Sequence, residues 1–204
     1  MWHRLLSAAV LAASTAVFGC GGGVRPTTIL PDGVELRAGD VVLRRGGGMA
    51  SRAVLVADGG DYSHVGIVVD SAGVMMVVHA VPGEPDYEGD PDRVKMEPAA
   101  EYFDGGRASS GCVLRCARDS VARRAAAKAV EVYRRGTLFD HDYDAADTVR
   151  MYCCELVEAA YLSAGVSVAP GPRHDVSLPG LSFRDVILPS DFCRSPVLRL
   201  VAAF

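Results

Sequence analysis

Cys153 and His64 are the residues whose types and settings best suit chemistry. Cys153 opens an apolar-periodic segment within Tyr152-Cys153-Cys154-Glu155, and His64 lies about ninety residues earlier in the strand-like run Ser63-His64-Val65-Gly66-Ile67. The start of a helix favours the thiolate form of a cysteine, and an imidazole can accept the thiol proton. The pair therefore predicts a thiol nucleophile at Cys153 with His64 as its general base.

Helical periodicity distinguishes Cys153 from its neighbour Cys154. One stripe of residues at helical spacing contains Cys153, Leu156, Val157, Ala160, Tyr161 and Ala164. Cys154 lies about 100° away from this stripe, since an α-helix has 3.6 residues per turn. We therefore expect Cys153 to point towards the sheet that carries His64. The free N–H groups of the first helical turn would lie beside it and could contribute to an oxyanion hole.

A β-hairpin places a second histidine near His64. Residues 63–69 and 74–80 are rich in Val, Ile and Met and flank the turn sequence Asp70-Ser71-Ala72-Gly73. With a four-residue turn over 70–73, His64 and His79 pair directly across the hairpin on one face, with Cβ atoms about 5 Å apart. The pattern predicts that the two imidazoles lie side by side.

The remaining elements that must position these residues indicate an α+β domain. Further strands are predicted over 41–43, 112–117 and 197–201, and helices over 49–57, from 119 or 120 to 136, and from Cys153 to near Gly165. The acidic, Pro-rich stretch 82–98 is expected to be a long loop, and the chain after 165 mostly irregular. Without a regular βαβ alternation, this order favours an antiparallel sheet packed against helices.

Composition favours one globular domain and excludes two common function classes. The chain has 204 residues, 50% of them hydrophobic, and a formal net charge of −4. Lys and Arg form no isolated block, which argues against a nucleic-acid partner. Gly46-Gly47-Gly48 lacks the Lys and Ser/Thr of a phosphate-binding loop, and no cofactor is predicted.

The N-terminal segment has the pattern of a bacterial export signal. Residues 1–19 carry a short basic start and an apolar run shorter than the roughly 20 residues of a membrane-spanning helix. Val17-Phe18-Gly19-Cys20 resembles a lipoprotein processing box, which predicts lipidation at Cys20. Residues 20–33 would form a flexible tether, and 34–204 the domain. We expect a membrane-anchored lipoprotein of the bacterial cell envelope; secretion or periplasmic release is the alternative, followed by an uncleaved anchor.

An ordered set of motifs resembles the permuted papain-like amidases, the YaeF/YiiX group within the NlpC-type superfamily. The matching pieces are Gly39-Asp40-Val41-Val42, Ser63-His64-Val65-Gly66-Ile67-Val68, Val78-His79-Ala80, Phe139-Asp140, Tyr152-Cys153-Cys154-Glu155-Leu156-Val157, Ala160-Tyr161 and Leu188-Pro189-Ser190-Asp191. The order of His before Cys is the reverse of papain's, as a permuted fold requires. The resemblance spans about residues 34 to 200 and implies a circularly permuted papain-like fold.

The resemblance also implies a catalytic set of Cys153, His64 and, as the residue that orients His64, His79. It implies a thiol-dependent hydrolase that forms a thioester acyl-enzyme from a peptide, peptidoglycan or lipid amide. Two positions differ from the group, which commonly has Ser where Cys154 stands and often Glu where His79 stands. Lecithin-retinol-acyltransferase-like relatives also use His there. We accordingly expect His79→Glu to retain activity and His79→Ala to lose most of it.

Two other functions stay open on sequence grounds. The same residues suit a lipid acyltransferase or thioesterase, and a thiolate with two imidazoles could instead hold Zn²⁺ in a non-catalytic metal- or ligand-binding lipoprotein. Asp140-His141-Asp142-Tyr143-Asp144 lacks the spacing of an EF-hand and is expected to be a solvated loop with Phe139 packed inward. In an oxidising compartment Cys193 could bridge to Cys112 or Cys116, a pairing that the sequence leaves undecided.

Overall fold

The computed structural model describes residues 27–144, 147, 149–179 and 181–204. Within these residues the elements in chain order are β1 Val41–Gly46, α1 Met49–Asp58, β2 His64–Ser71, β3 Val74–Val81, β4 Arg93–Pro98, α2 Ala99–Tyr102, β5 Ala108–Cys116, α3 Asp119–Arg134, α4 Cys153–Ser163, β6 His174–Leu178, β7 Leu181–Val186, α5 Pro189–Cys193 and β8 Leu198–Ala203. The predicted signal peptide and the lipidation site at Cys20 lie outside the described residues. No described helix is long and apolar enough to cross a bilayer.

A six-stranded sheet with the order β4-β3-β2-β1-β5-β8 forms the centre of the molecule, and all its neighbouring strands are antiparallel. One face, which carries Val65 and Ile67, packs against α3 and α4 in the larger core cluster. The opposite face carries Val68 and packs against Tyr102 and Phe103. The predicted α+β architecture is confirmed.

The β2–β3 hairpin has a tighter turn than the sequence predicts. Ser71 pairs with Val74 and Ile67 with Val78, so the connection has two residues, Ala72 and Gly73, and not four. Both have positive φ, 54° and 86°, which matches the right-handed twist of the strands. The predicted direct pairing of His64 with His79 is therefore wrong. Moving the register by two residues preserves the face, so both imidazoles still lie on the same side.

Two stretches predicted to be irregular contain strands. In 82–98, the last six residues form β4, where Val94 and Met96 alternate with charged residues that pair on the other face. After residue 165, β6 and β7 form a separate hairpin, and Pro189 occupies the first turn of α5. The prolines there mark element ends and do not interrupt elements. The closing strand predicted at 197–201 is present as β8.

Two close contacts at Gly39, in the turn before β1, hold α4 and α3 against the sheet. Tyr161 donates a hydrogen bond from its hydroxyl to the carbonyl of Gly39 at 2.5 Å. Gly39 has a φ of +91°, and a Cβ there would lie 2.4 Å from the carbonyl oxygen of Ala122. The neighbouring Asp40 is buried and forms a two-point ion pair with Arg115 at 2.7 Å. The Gly39-Asp40 part of the motif Gly39-Asp40-Val41-Val42 therefore has a structural role.

Candidate active site

Cys153 is the first residue of α4 and lines a cleft with a volume of about 900 Å³. It is half-buried, whereas Cys154 is fully buried in the core. The predicted stripe is confirmed, since Leu156, Val157, Ala160 and Tyr161 are all buried. Tyr152 precedes the helix in an extended conformation, so the thiol lies next to the open first turn, as the sequence predicts.

The thiol meets His64 where α4 and β2 both begin. The interaction with the His64 imidazole favours the thiolate form of Cys153, and the backbone N–H of Val65 adds to this effect. His64 lies on the sheet face opposite to the one that α4 covers. The two residues therefore make contact around the end of β2 and not through the sheet.

His79 is fully buried beside His64, with its Nδ1 2.9 Å from Nε2 of His64. In the register of the hairpin, the residue opposite His79 is Gly66, and His64 is its diagonal neighbour. A Cβ at residue 66 would lie 3.2 Å from the Cβ of His79. The glycine therefore leaves the space in which the two rings approach edge to face, at a centroid distance of 5.1 Å.

Glu97 is a site residue that sequence reasoning missed. It lies on β4, the strand that was predicted to be loop, and its Oε1 is 3.1 Å from Nε2 of His79. The approach is off-axis for a hydrogen bond, and neither of these two buried atoms has a hydrogen-bond partner among the described residues. The second oxygen of Glu97 accepts a hydrogen bond from Arg107 at 2.9 Å. The alternating pattern Arg93-Val94-Lys95-Met96-Glu97 is the sequence signal that could have revealed the strand.

The residues form a continuous chain of contacts from Cys153 through His64 and His79 to Glu97. A carboxylate only accepts, so Glu97 favours the proton of His79 on Nε2, and Nδ1 of His79 is left as an acceptor. That acceptor favours the Nε2–H tautomer of His64. The Nδ1 lone pair of His64 is then available for the thiol proton of Cys153.

Burial disfavours the charged form of both imidazoles. It lowers the pKa of His64 to about 4, although the neighbouring Cys153 opposes this change. Burial also lowers the pKa of His79, and Glu97 opposes it. For Glu97, burial would raise the pKa, but the contact with His79 and charge attraction from Arg107 and Arg44 outweigh it and bring the pKa to about 2. Glu97 is therefore an anion at neutral pH.

The surroundings of Cys153 stabilise its thiolate. A hydrogen bond from Cys154, whose sulfur is 3.9 Å away, is the largest cause of a Cys153 pKa well below the usual thiol value. Burial opposes this shift, and His64 and the Val65 N–H add to it. Burial and the Cys153 charge raise the pKa of Cys154, which therefore stays protonated and acts as a donor. Of the two adjacent cysteines, Cys153 is therefore the one that ionises and Cys154 the one that donates a hydrogen bond to it.

Arg44 and Tyr102 pack around the two imidazoles. The Arg44 guanidinium lies 4.7 Å from the centre of the Tyr102 ring and donates to the Tyr102 carbonyl at 2.9 Å. It also pairs with Glu84 at 2.5 Å. The Tyr102 ring contacts both histidines edge to face or tilted, at 5.1 to 5.9 Å. These contacts fix the ring positions and exclude water from them.

The other sequence-predicted features lie elsewhere or have structural roles. Asp140 is fully buried and accepts hydrogen bonds from the backbone N–H groups of Asp142 and Asp144. The prediction of a solvated loop is therefore wrong at Asp140. The prediction that Phe139 packs inward is confirmed. His141 is exposed, borders the cleft and pairs with Asp92. Cys112, Cys116 and Cys193 are all free thiols, and interaction with Cys193 raises the pKa of Cys112.

The two imidazoles and the thiol do not fit a shared metal ion. Nε2 of His64 and Nδ1 of His79 face each other at hydrogen-bond distance, so these nitrogens do not converge on a common point. Among the described residues, no group of three or more His, Cys, Asp or Glu side chains could hold a metal.

Comparison with known proteins shows the fold. No family model and no curated protein matches the chain. Among solved structures, the chain is similar to the crystal structure of metalloprotein yiiX from Escherichia coli O157:H7, described as DUF1105, with a TM-score of 0.66 and 20% sequence identity. The match covers 82% of this chain and 97% of that one. The protein thus has the fold of the YiiX group, with a large antiparallel sheet packed against helices.

Proposed function

We propose that the protein is a thiol-dependent amide hydrolase with Cys153 as nucleophile. The observation that carries the proposal is the contact chain Cys153–His64–His79–Glu97, which ends in a buried carboxylate and begins at a thiol exposed to a cleft. A structural cysteine would require neither a lowered pKa nor an ordered pair of imidazoles behind it.

The geometry supports a two-step acyl transfer. The Cys153 thiolate attacks the substrate carbonyl, and the first-turn N–H groups of α4 stabilise the oxyanion. His64 carries the thiol proton to the departing amine, so that the C–N bond breaks and a thioester forms. Water, deprotonated by His64, then hydrolyses the thioester and regenerates the thiol. His79 and Glu97 act through His64 by fixing its tautomer and orientation.

A metal-binding function is not supported by these residues. The similar solved structure is described as a metalloprotein, but the imidazole nitrogens of this chain are directed at each other. We therefore derive no step through a metal. The lipid acyltransferase alternative uses the same acyl-enzyme and differs only in the acceptor that resolves it.

Alkylation of the domain with iodoacetamide near pH 6, followed by intact-mass measurement, tests the proposal. We expect one rapid modification in the parent, absent in Cys153→Ser, retained in Cys154→Ser and slowed in His64→Ala. Slow labelling of every variant, or labelling that follows Cys154, would contradict an activated nucleophile at Cys153.

A further inference from the structure

Tyr143 lines the same cleft as Cys153 and is held there by other aromatic rings. The centre of its ring lies 4.1 Å from that of Phe183 and 5.1 Å from that of Tyr152, the residue directly before the nucleophile. The Phe139 ring is 6.0 Å away, edge to face. These contacts position the phenol of Tyr143 beside the start of α4.

The loop before α4 holds Tyr143 in a backbone conformation that a tyrosine rarely adopts. Its φ is 53°, in the left-handed region that is uncommon for residues other than glycine. The buried carboxylate of Asp140 accepts hydrogen bonds from the backbone N–H groups on both sides of Tyr143, from Asp142 at 3.0 Å and from Asp144 at 2.7 Å. Backbone strain that is stabilised in this way is concentrated at active sites.

The hydroxyl of Tyr143 is available to a substrate. Buried tyrosines elsewhere in the chain use their hydroxyls structurally: those of Tyr102 and Tyr161 donate to backbone carbonyls, and that of Tyr152 accepts from the N–H of Ile187. Among the described residues the Tyr143 hydroxyl has no hydrogen-bond partner, and it is not one of the buried unpaired polar atoms. It is therefore open to the cleft.

The same hydroxyl is suited to donate a hydrogen bond. Burial raises the pKa of Tyr143, and the charge of Cys153 adds to this effect. The phenol therefore keeps its proton at neutral pH. Because the effect of a charge falls off with distance, the influence of Cys153 also indicates that the hydroxyl and the sulfur lie in the same part of the cleft.

We propose that the Tyr143 hydroxyl is a catalytic hydrogen-bond donor that stabilises the oxyanion, together with a first-turn N–H group of α4. The inference rests on the proposed function. When the Cys153 thiolate forms the C–S bond, the π electron pair of the carbonyl moves to its oxygen, and the Tyr143 O–H donates to that oxygen without transferring its proton. The C=O bond re-forms as the C–N bond breaks, and the amine leaves with the proton from His64. Donors that are in position before the reaction stabilise this developing charge most effectively.

Two reagents that react with the same thiol test the proposal. p-Nitrophenyl acetate acylates Cys153 through a tetrahedral oxyanion and releases p-nitrophenolate, whereas iodoacetamide alkylates the thiol at a saturated carbon, where no oxyanion forms. We expect Tyr143→Phe to lower the acylation rate constant by about 100-fold and to keep the alkylation rate constant within about twofold of the parent value. The phenylalanine ring retains the contacts with Phe183 and Tyr152, so only the hydroxyl is lost.

Tyr87→Phe is the matched control, since Tyr87 is 60% exposed and is not a lining residue of the cleft; both of its rate constants should equal those of the parent. Acylation of Tyr143→Phe at the parent rate would overturn the inference. An equal fall in both rate constants would also overturn it, because Tyr143 would then act on the thiol or on the fold and not on the oxyanion. In both cases rapid alkylation of the parent leaves the hydrolase proposal standing, whereas slow alkylation of the parent overturns both proposals.

Discussion

Nδ1 of His79 lies 2.9 Å from Nε2 of His64, although the two residues do not pair across their hairpin. The contact arises because Gly66, the residue opposite His79, has no side chain to separate the rings. A diagonal pair on one sheet face is within reach of long or aromatic side chains. Since Nε2 of His64 is directed at His79, Nδ1 is the nitrogen of His64 that is left for the thiol. Glu97, on the far side of His79, keeps the proton of His79 on its Nε2.

The charge of Glu97 changes what should happen when His79 is replaced. Sequence comparison predicts that His79→Glu keeps activity. In the structure this carboxylate would be buried next to the carboxylate of Glu97, and like charges at that distance are unfavourable. We therefore expect His79→Glu to reduce kcat/KM by about 100-fold, as His79→Ala does. The double variant His79→Glu/Glu97→Gln should recover most of the loss.

Kinetics of the two single variants and the double variant measure this coupling. Glu97→Gln alone should lower kcat/KM by about tenfold, because an amide can donate as well as accept and no longer selects one tautomer of His79. A fully active His79→Glu enzyme with Glu97 intact would remove Glu97 from the relay.

Cys154 should activate Cys153 as a hydrogen-bond donor. Replacing Cys154 by Ala removes the largest cause of the lowered Cys153 pKa, whereas Ser retains a donor. The thiolate fraction rises with pH through the Cys153 pKa, so a raised pKa moves the alkylation profile to higher pH. We expect the midpoint of that profile to move to higher pH in Cys154→Ala and to change little in Cys154→Ser.

The measurement is the pH dependence of the iodoacetamide alkylation rate of Cys153 by intact mass. Identical midpoints for the alanine and serine variants would show that the sulfur–sulfur contact at 3.9 Å has no electrostatic effect on the nucleophile.

Much of this site follows from short-range sequence patterns. The helical spacing of Leu156, Val157 and Ala160 identifies Cys153 as the first residue of a buried-face helix, and strand alternation puts His64 and His79 on one face. Both histidines lie on the predicted sheet face despite the error in turn length, because the observed register differs from the predicted one by an even number of residues. The two-residue turn was missed because Ala72 adopts a positive φ, which few Ala residues do.

The contribution of Glu97 could not be inferred in the same way. Glu97 lies on β4, an edge strand of the sheet with charged residues on one face. Only two apolar residues, Val94 and Met96, therefore indicate a strand in the sequence. Its role depends on the pairing of β4 with β3, a long-range contact that no local pattern specifies. The cleft beside Cys153 likewise combines α1 with a hairpin more than a hundred residues later.

Gly66 should be intolerant of even a methyl group. A Cβ there would lie 2.5 Å from a methyl of Val77 and 3.1 Å from the carbonyl oxygen of Val78. Relief of these contacts requires β2 and β3 to separate next to His79. We expect Gly66→Ala to lower the free energy of unfolding by about 1–3 kcal/mol and to reduce kcat by at least tenfold.

Urea denaturation and steady-state kinetics check this prediction. Gly33→Ala is the control, since a Cβ at Gly33 meets nothing within 4 Å and its φ is not positive. Equal stability and activity in Gly66→Ala and Gly33→Ala would show that the hairpin has room that its geometry does not indicate.

Glu155 should make the stability of the domain depend on pH. Burial raises its pKa from 4.5 to about 7, and Asp140 and Asp147 add to this effect, while a hydrogen bond from the Tyr152 N–H opposes it. A carboxyl whose pKa is raised by folding binds its proton more tightly in the folded state. Ionisation of Glu155 therefore does not lower the free energy of unfolding below about pH 4.5. It lowers it increasingly as the pH rises from there, and the full loss is reached once the pH has passed 7.

Glu155→Gln keeps an acceptor for the Tyr152 N–H and removes the buried charge. We expect it to raise Tm at pH 8 by about 3 °C, equivalent to roughly 1 kcal/mol after allowance for the partly exposed side chain. At pH 4.5 the variant and the parent should have the same Tm. Glu131→Gln, which removes an exposed carboxylate paired with Lys128 on α3, is the matched control and should give no stabilisation at pH 8. Thermal unfolding followed by circular dichroism at the two pH values measures both variants. A Tm gain of equal size at pH 4.5 and pH 8 would mean that Glu155 carries no buried charge.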